Sequence, residues 1–464
     1  MVQEPDIAPE PETEDDDAYA LSPRTIAAIL EAVEAGARET LVALMEPLHA
    51  ADIADMLEQI DAADRAALIR LYDREFDGEI LTELDEGIRE EVIRILKPEV
   101  LAEAVRELDS DDVVDLLEDL EAEQRDSILG ALTDRDRLAI EQSLEFPDYS
   151  AGRLMQREVV MAPEHWTVGE AIDYMRATED LPDQFYHVIL VDPRMKPVGK
   201  VALGKLMSSP RPVKLSDITD ASFHVIPVTR PEADVAYAFN QYHLISAPVV
   251  DENERLVGVI TIDDAMMVLD EEHEEDILRL AGVGEESSLS DTALETTRQR
   301  FPWLAVNLAT AILASLVIAQ FEAAIAQITA LAVLMPIVAS MGGNAGTQSL
   351  TVAVRALATR DLTGSNAWRV IRREAAVGLI MGVAFAVVMG IVGLIWFGST
   401  TLGWVIFAAM IINMLAAALA GIGIPIVLEK LRVDPALASG TFVTTVTDVV
   451  GFFAFLGLAS AVLL

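Results

Sequence analysis

Hydrophobic and polar positions divide this chain into a half that alternates and a half that does not. Between residues 25 and 140, short amphipathic runs are separated by acidic breaks. Leu57-Glu-Gln-Ile60, Leu81-Thr-Glu-Leu84 and Val105-Arg-Glu-Leu108 recur 24 residues apart. That period predicts stacked helix pairs, about 12 residues per helix, in a small superhelical array; an irregular all-α bundle is the alternative. A second repeat follows. Val188-Ile-Leu-Val-Asp192 precedes Val198-Gly-Lys-Val201, and Ala247-Pro-Val-Val-Asp251 precedes Val257-Gly-Val-Ile260, each at a shift of 59 residues. Each copy reads as strand, polar turn, strand, helix. The remainder is nearly continuous in apolar residues. Phe301 to Val354 holds one charge, Glu322, and Ala375 to Leu428 holds none over 54 residues. A membrane-crossing helix needs about 20 apolar residues. Each run therefore predicts two helices, with turns at Gln320–Gln327 and Gly398–Gly403, and Pro435–Leu464 predicts a fifth.

Charge sharpens this division. Hydrophobic residues make up 52% of 464, yet 76 acidic residues stand against 33 basic ones, a formal charge of −43. From Arg298 onward there are nine Lys/Arg and six Asp/Glu, a balance of +3, so residues 1–297 carry −46. Such a surface repels phosphate, which excludes free nucleic acid as a partner and favours cations. There is no Cys, so disulfides and thiolate metal sites are excluded. The acidic, Pro-rich stretch 1–21 has no apolar core and reads as a disordered tail rather than a signal peptide. With residues 1–300 inside the cell, all nine basic residues of the apolar half fall on the inner side. The positive-inside rule then predicts a multi-pass protein of the cytoplasmic (inner) membrane, N-terminus in and C-terminus out.

Three stretches carry candidate chemistry. Asp270-Glu-Glu-His-Glu-Glu-Asp276 precedes the first span, in a helix that Gly282 and Gly284 break. It is either a solvated acidic helix end or a cation site. Pro336 to Ser349 in span two combines Gly342, Gly343 and Gly346 with Asn344, Thr347, Gln348 and then Thr351. Small residues serve close helix packing, and the density of polar groups suits a wet path. Asp448 stands about twelve residues into span five, about 18 Å deep at 1.5 Å per residue. No Lys or Arg lies at that depth, so it needs water, a cation or a proton. A carboxylate among the hydroxyls of Thr444, Thr445 and Thr447 suits a hard cation such as Mg²⁺; Ca²⁺, Mn²⁺ or a proton fit the same chemistry. The spans hold no Cys or His, and no nucleophile–base pair or phosphate loop stands out, so no enzyme is expected.

The tandem 59-residue units resemble a pair of cystathionine-β-synthase-type (CBS) modules. The whole chain resembles the MgtE family of magnesium channels, on Ala151-Gly-Arg-Leu-Met155, Gly342-Gly-Asn-Ala-Gly346 with Gln348, Arg355-Ala-Leu-Ala-Thr-Arg-Asp-Leu362, and Asp434-Pro-Ala436 onward to Thr447-Asp448. The resemblance implies a multi-domain membrane protein. Its expected parts are the acidic tail (1–21), an all-α acidic N domain (22–145), α/β tandem CBS modules (150–272), a connecting helix (273–298) and a five-helix membrane domain (299–464). It implies a homodimer in membrane lipid that imports Mg²⁺ through a channel, with Asp448 as pore carboxylate and Thr351 near the gate. It also implies closure by Mg²⁺ held at Asp111, Asp115 and Asp264, and at Glu272, Glu275 and Asp276. Asp264 has a simpler reading as a helix N-cap. A nucleotide at the CBS pair is a further candidate partner. Thr347, Gly440-Thr441 and His243 depart from residues that other members carry. The alternatives are an ion-coupled carrier of another divalent cation, Mn²⁺ or Co²⁺, and a membrane sensor without transport.

Overall fold

The computed structural model describes residues 21–464 apart from 119, 121, 179–180, 183, 221–222 and 284–291. The expected acidic tail and Gly284 therefore lie outside the described residues, save for Leu21. The chain forms two units, Met1–Asp270 and Glu271–Leu464.

The first unit opens with helices α1 (Pro23–Glu34), α2 (Arg38–Met45), α3 (Ala50–Gln59), α4 (Ala62–Tyr72), α5 (Glu79–Thr82), α6 (Glu86–Ile95), α7 (Pro98–Glu107), α8 (Ser110–Glu118), α9 (Ala122–Ala131) and α10 (Asp134–Ser143). Starts at residues 50, 62, 86, 98, 110, 122 and 134 are 12 apart, except for one interval of 24 that α5 interrupts. This supports the stacked array. His49, Asp61 and Thr133 accept from first-turn amides and so fix the entry of α3, α4 and α10. The apolar positions at helical spacing, such as Ile53, Met56 and Leu57 or Val113, Leu116 and Leu117, form one continuous core.

The 24-residue repeat has a polar counterpart. Arg65 is buried and donates from Nε to the Leu57 carbonyl (2.8 Å) and from Nη2 to that of Ile60 (3.1 Å). Arg89, 24 residues on, donates from Nε to the Leu84 carbonyl (3.3 Å). Each arginine ties off helix-end carbonyls that have no partner within their own helix. Each also reaches an acid 26 residues further: Arg65 pairs with Glu91, and Arg89 with Asp115 at 2.8 Å. The third copy, Val105–Leu108, lacks the device because residue 113 is Val; it returns where Arg125 meets the carbonyls of Leu117 (3.1 Å) and Leu120 (3.5 Å).

The duplicated region contains two three-stranded sheets among the described residues. In one, β1 (Met161–Pro163) pairs parallel with β2 (His187–Val191), which pairs antiparallel with β3 (Pro197–Ala202). In the other, β4 (Ile226–Pro227) pairs parallel with β5 (Ser246–Val250), which pairs antiparallel with β6 (Leu256–Thr261). The short first strands were not expected from the pattern, because two or three residues carry no period. The duplication extends to detail. The register slips at Leu190/Val191 and again at Val249/Val250. Asp192 Oδ1 accepts from the amides of Arg194 and Lys196, and Asp251 Oδ1 from those of Asn253 and Arg255. Met195 and Glu254, also 59 apart, both take the left-handed conformation in these turns.

The helix expected at 273–298 is drawn differently. Thr261 ends β6, and a helix runs without interruption from Ile262 to Ala281; it is α15, after α11 (Ala151–Leu154), α12 (Val168–Ala177), α13 (Leu203–Ser208) and α14 (Glu232–Tyr242). It ends where Gly282 adopts φ +70°, open to glycine at little cost. Residues 293–298 instead start α16 (Ala293–Ala319), because Thr292 and Glu295 form a capping box.

Among the described residues, the second unit holds five helices long and apolar enough to cross a membrane. These are α16, α18 (Ala330–Ala358), α19 (Ala367–Phe397), α20 (Thr400–Lys430) and α21 (Pro435–Leu463), with the short α17 (Glu322–Gln327) in the first expected turn. The second turn is tight, with Gly398 left-handed at φ 63°. α20 is the central helix, with 15 of its 31 residues buried. Its neighbours approach through glycines: a Cβ on Gly378 would lie 2.6 Å from the Ala418 methyl, and one on Gly403 3.0 Å from the Gly390 carbonyl. Close approach of this kind is how helices associate in lipid, where burial of apolar surface gives no net gain.

Candidate cation sites

The first site lies where two helix starts in the first unit meet. α8 brings Asp111 and Asp112, the loop before it Asp109, and α15 brings Asp263 and Asp264. Thr261 is the cap of α15: its Oγ1 and amide donate to Asp264 Oδ2 at 2.6 and 3.3 Å. Asp264 is thus the reciprocal third residue of the cap, not the N-cap itself. Asp111 is buried; its Oδ1 accepts from the Asp112 amide at 3.1 Å, and its Oδ2 has no hydrogen-bond partner. Burial, then the nearby Asp264, Asp112 and Asp109, push the Asp111 carboxyl well above the usual range. Burial and then Asp264 push Asp112 up to about 7. Asp264 rises to about 6, again by burial, with Thr261 opposing and Asp263 and Asp109 assisting. Neighbouring contacts hold the edge in place: Ser110 Oγ donates to Glu158 at 2.8 Å, and the Arg157 amide donates to Ser110 Oγ at 2.7 Å.

The structure brings Asp111 and Asp264 together, as expected, and adds Asp112, which the sequence pattern passed over. The adjacent Asp-Asp at a helix start was the available signal. Asp115 behaves differently. It continues the arginine repeat as the partner of Arg89, a place that Glu91 fills one repeat earlier. Among the described residues, no three His, Asp or Glu side chains are gathered tightly enough to hold a metal ion as they stand. The partnerless, buried Asp111 oxygen and the all-oxygen surroundings nevertheless fit a hard, hydrated divalent cation.

The second site belongs to the second unit. Glu272, Glu275, Asp276 and Arg279 follow one face of α15 at spacings of three and four. Arg279 reaches Glu275 Oε2 at 2.7 Å and Asp434 Oδ2 at 3.0 Å. Asp434 Oδ1 in turn caps α21 by accepting from the Ala436 amide at 2.7 Å. Burial first, then the acids around them, hold the Glu272 and Asp276 carboxyls above their usual range, with Arg279 opposing. Arg279 and Asp434 complete a group of which the sequence pattern supplied only the three acids of α15.

The third site runs along α18 and α21. A cavity of about 220 Å³ is lined by Asn307, Thr347, Thr351, Gly440, Thr441 and Thr444, among others. The hydroxyls of Thr347, Thr351, Thr444 and Thr445 donate to carbonyls of their own helices, at 3.0, 3.0, 3.0 and 2.6 Å. A hydroxyl whose proton is so used presents only lone pairs to its surroundings. The surface these threonines offer is therefore one of acceptors. Asp448 lies one helical turn beyond Thr444 on α21, half-exposed, with Thr447 fully buried beside it. Thr351 is exposed near the C-terminal end of α18.

Comparison with known proteins agrees with this division. Residues 335–458 match the MgtE family, described as divalent cation transporter; residues 48–149 match the MgtE intracellular N domain; residues 151–210 and 215–271 each match the CBS domain. The chain is similar to the magnesium transporter MgtE of Enterococcus faecalis, 34% identical over 69% of this chain and 71% of that one. It is 32% identical to the magnesium transporter MgtE of Thermus thermophilus and 30% identical to that of Bacillus subtilis, in each case over 72% of this chain and 74% of the relative.

Proposed function

The chain belongs to the MgtE family, as a multi-pass membrane protein with an intracellular N domain, and from that premise we propose that it is a Mg²⁺-selective channel closed by Mg²⁺ at its cytosolic acids. It is a transporter-family protein and not an enzyme. The observation that carries the proposal is Asp448. It is a carboxylate in mid-span, approached along a cavity of threonine lone pairs, with no basic residue at its depth. An unpaired charge there costs about 2.5–3.5 kcal/mol, so it is retained for a cation. Mg²⁺ gives up its waters reluctantly, and a sparse set of oxygen acceptors suits a hydrated ion better than a closed cage would. Thr351, at the inner end of the same lining, is the gate residue of this reading. Asn307, Thr347 and Thr351 of this lining are exposed in one chain, which supports a path completed by a second copy. Five crossings from an intracellular N domain leave the C-terminus outside.

Closure follows from the soluble acids. Asp111, Asp112 and Asp264 would hold a hydrated Mg²⁺ where α8 meets α15, with water supplying the remaining ligands. The ion prefers the form in which these helix starts are together, and it shifts the equilibrium by that preference alone. Glu272, Glu275 and Asp276 form the second regulatory group. Mg²⁺ flux into proteoliposomes tests the path. Asp448→Ala and the isosteric Asp448→Asn should both insert normally and abolish or sharply reduce flux. Wild-type flux in both overturns the assignment, and a reversal potential that fails to follow the Mg²⁺ gradient favours a coupled carrier.

A further inference from the structure

Asn413 lies at the middle of α20 and is fully buried. It touches neither the cavity of α18 and α21 nor the acids described above, yet it is the polar side chain around which three helices close. Its Nδ2 donates to the Val338 carbonyl of α18 at 2.7 Å, which fixes the amide orientation, since the reverse would set two carbonyl oxygens face to face. Its Oδ1 has no hydrogen-bond partner. Both sides of the carboxamide are covered by glycine. A Cβ on Gly451 of α21 would fall 2.9 Å from Oδ1 and 3.0 Å from Cγ and Nδ2. A Cβ on Gly342 of α18 would overlap Nδ2 and lie 2.9 Å from Oδ1. In glycine those directions carry hydrogens, so the Gly451 Cα–H meets the carboxamide nearest Oδ1, a contact that recurs between packed helices, and the Gly342 Cα–H lies against Nδ2. One turn further in, Gly346 meets Val443 of α21 and the Ala417 carbonyl of α20 by the same criterion, at 2.5 and 3.7 Å.

We propose that Asn413 is a positioning residue: a flat polar spacer between Gly342 and Gly451 that sets the separation of α18 and α21, and through it the placement of Asp448. Asp448 is three residues from Gly451, about 4.5 Å along the helix. The carboxamide is thin enough to let both backbones approach, and its one strong bond locks α20 to α18. A branched apolar side chain of similar volume has no flat face and cannot lie between them. The inference rests on the reading of α21 as lining the path.

The chain has no Cys, so cysteines placed at Val352 of α18 and Phe442 of α21, both exposed, take spin labels without background. Labelled chain diluted with unlabelled chain in liposomes then reports the separation within one copy. Asn413→Leu and Gly451→Ala should each widen that distance and lower Mg²⁺ flux about tenfold or more, as misplacement near 1 Å does at an ordered site. The ratio of Mg²⁺ to Co²⁺ flux should change with it. Asn413→Ala introduced into Gly451→Ala should recover most of the loss, because the added methyl takes the space the carboxamide leaves; coupled neighbours depart from additivity in this way. Unchanged distance and flux in inserted Asn413→Leu overturns the proposal, and so does a Gly451→Ala loss that Asn413→Ala does not relieve. Normal flux in Asp448→Asn beside defective Asn413→Leu removes the path reading but leaves the spacer standing.

Discussion

The two acidic groups of this protein differ in where their counter-charge comes from. At the meeting of α8 and α15, Asp109, Asp111, Asp112, Asp263 and Asp264 crowd together, and burial and the neighbouring acids raise the proton affinity of Asp111, Asp112 and Asp264. On the later part of α15, the acids surround Arg279, which bridges Glu275 and Asp434. The second group carries a cation in the chain; on the reading proposed above, the first takes one from solution. Mg²⁺ dependence should therefore concentrate at the first group, while the second should tolerate low Mg²⁺.

Deleting residues 1–140 is the most severe way to break this contrast, because it removes α8 and leaves Arg279 in place. The truncated protein should still conduct and should need about tenfold more internal Mg²⁺ to close, measured as flux against internal Mg²⁺. Closure at the unchanged concentration would show that α8 is not part of the sensor. Asp111→Asn with Asp112→Asn should reproduce part of that shift.

Proton binding is a gentler probe. Asp111, Asp112 and Asp264 hold protons more tightly when α8 and α15 are together than when apart. In chelator, the assembled form is therefore favoured at low pH, and that advantage is lost as pH rises from about 4 through about 7. Limited proteolysis near residues 100–120, with chelator, should slow as pH falls from 8 to 5.5. Added Mg²⁺ should protect at pH 8 and do little at pH 5.5, where protons already neutralise the group. Equal cleavage at both pH values would remove the electrostatic account.

Arg279→Gln should convert the second group into a copy of the first. Stability of the detergent-solubilised protein without Mg²⁺ should fall by about 1–2 kcal/mol, between the values for surface and buried pairs. Millimolar Mg²⁺ should restore most of it, an effect the wild type should barely show. Asp115→Ala is expected to do least. Losing the pair with the Arg89 guanidinium should cost the N domain about 0.5–1 kcal/mol, read by denaturant unfolding, and leave the Mg²⁺ midpoint of closure unchanged. A shifted midpoint would return Asp115 to the metal group.

Architecture was legible wherever a period repeats. The 59-residue shift gave both CBS units because strands, turns and the Asp192/Asp251 devices all obey it. The five long apolar runs needed only length and the absence of charge. Pairings between distant positions were not legible. Arg279 and Asp434 are 155 positions apart, and Asn413 and Val338 are 75 apart. Nothing in local spacing joins them. The Asp115–Arg89 pair was hidden for a related reason: in sequence Asp115 is one more acid beside Asp111, and the turn of α8 directs it toward Arg89. That one helix runs through the end of the second CBS unit was not legible, because an acidic run marks a surface, whereas Thr261 marks the helix start.

The arginines of the N domain have a consequence for how that domain comes apart. Arg65 and Arg89 each tie the helix end before them to an acid about two helices ahead, so these contacts reach only neighbours in the stack. An array of that kind unfolds from its ends, with each unit's opening free energy set by those beside it. Asp111 and Asp112 stand on the helix that Arg89 secures through Asp115, and Arg89 shares α6 with Glu91, the partner of Arg65. A lesion at Arg65, remote from every aspartate of the first group, should thus travel along the stack. It would appear as faster amide exchange in α8 and, from there, as a weaker response to Mg²⁺.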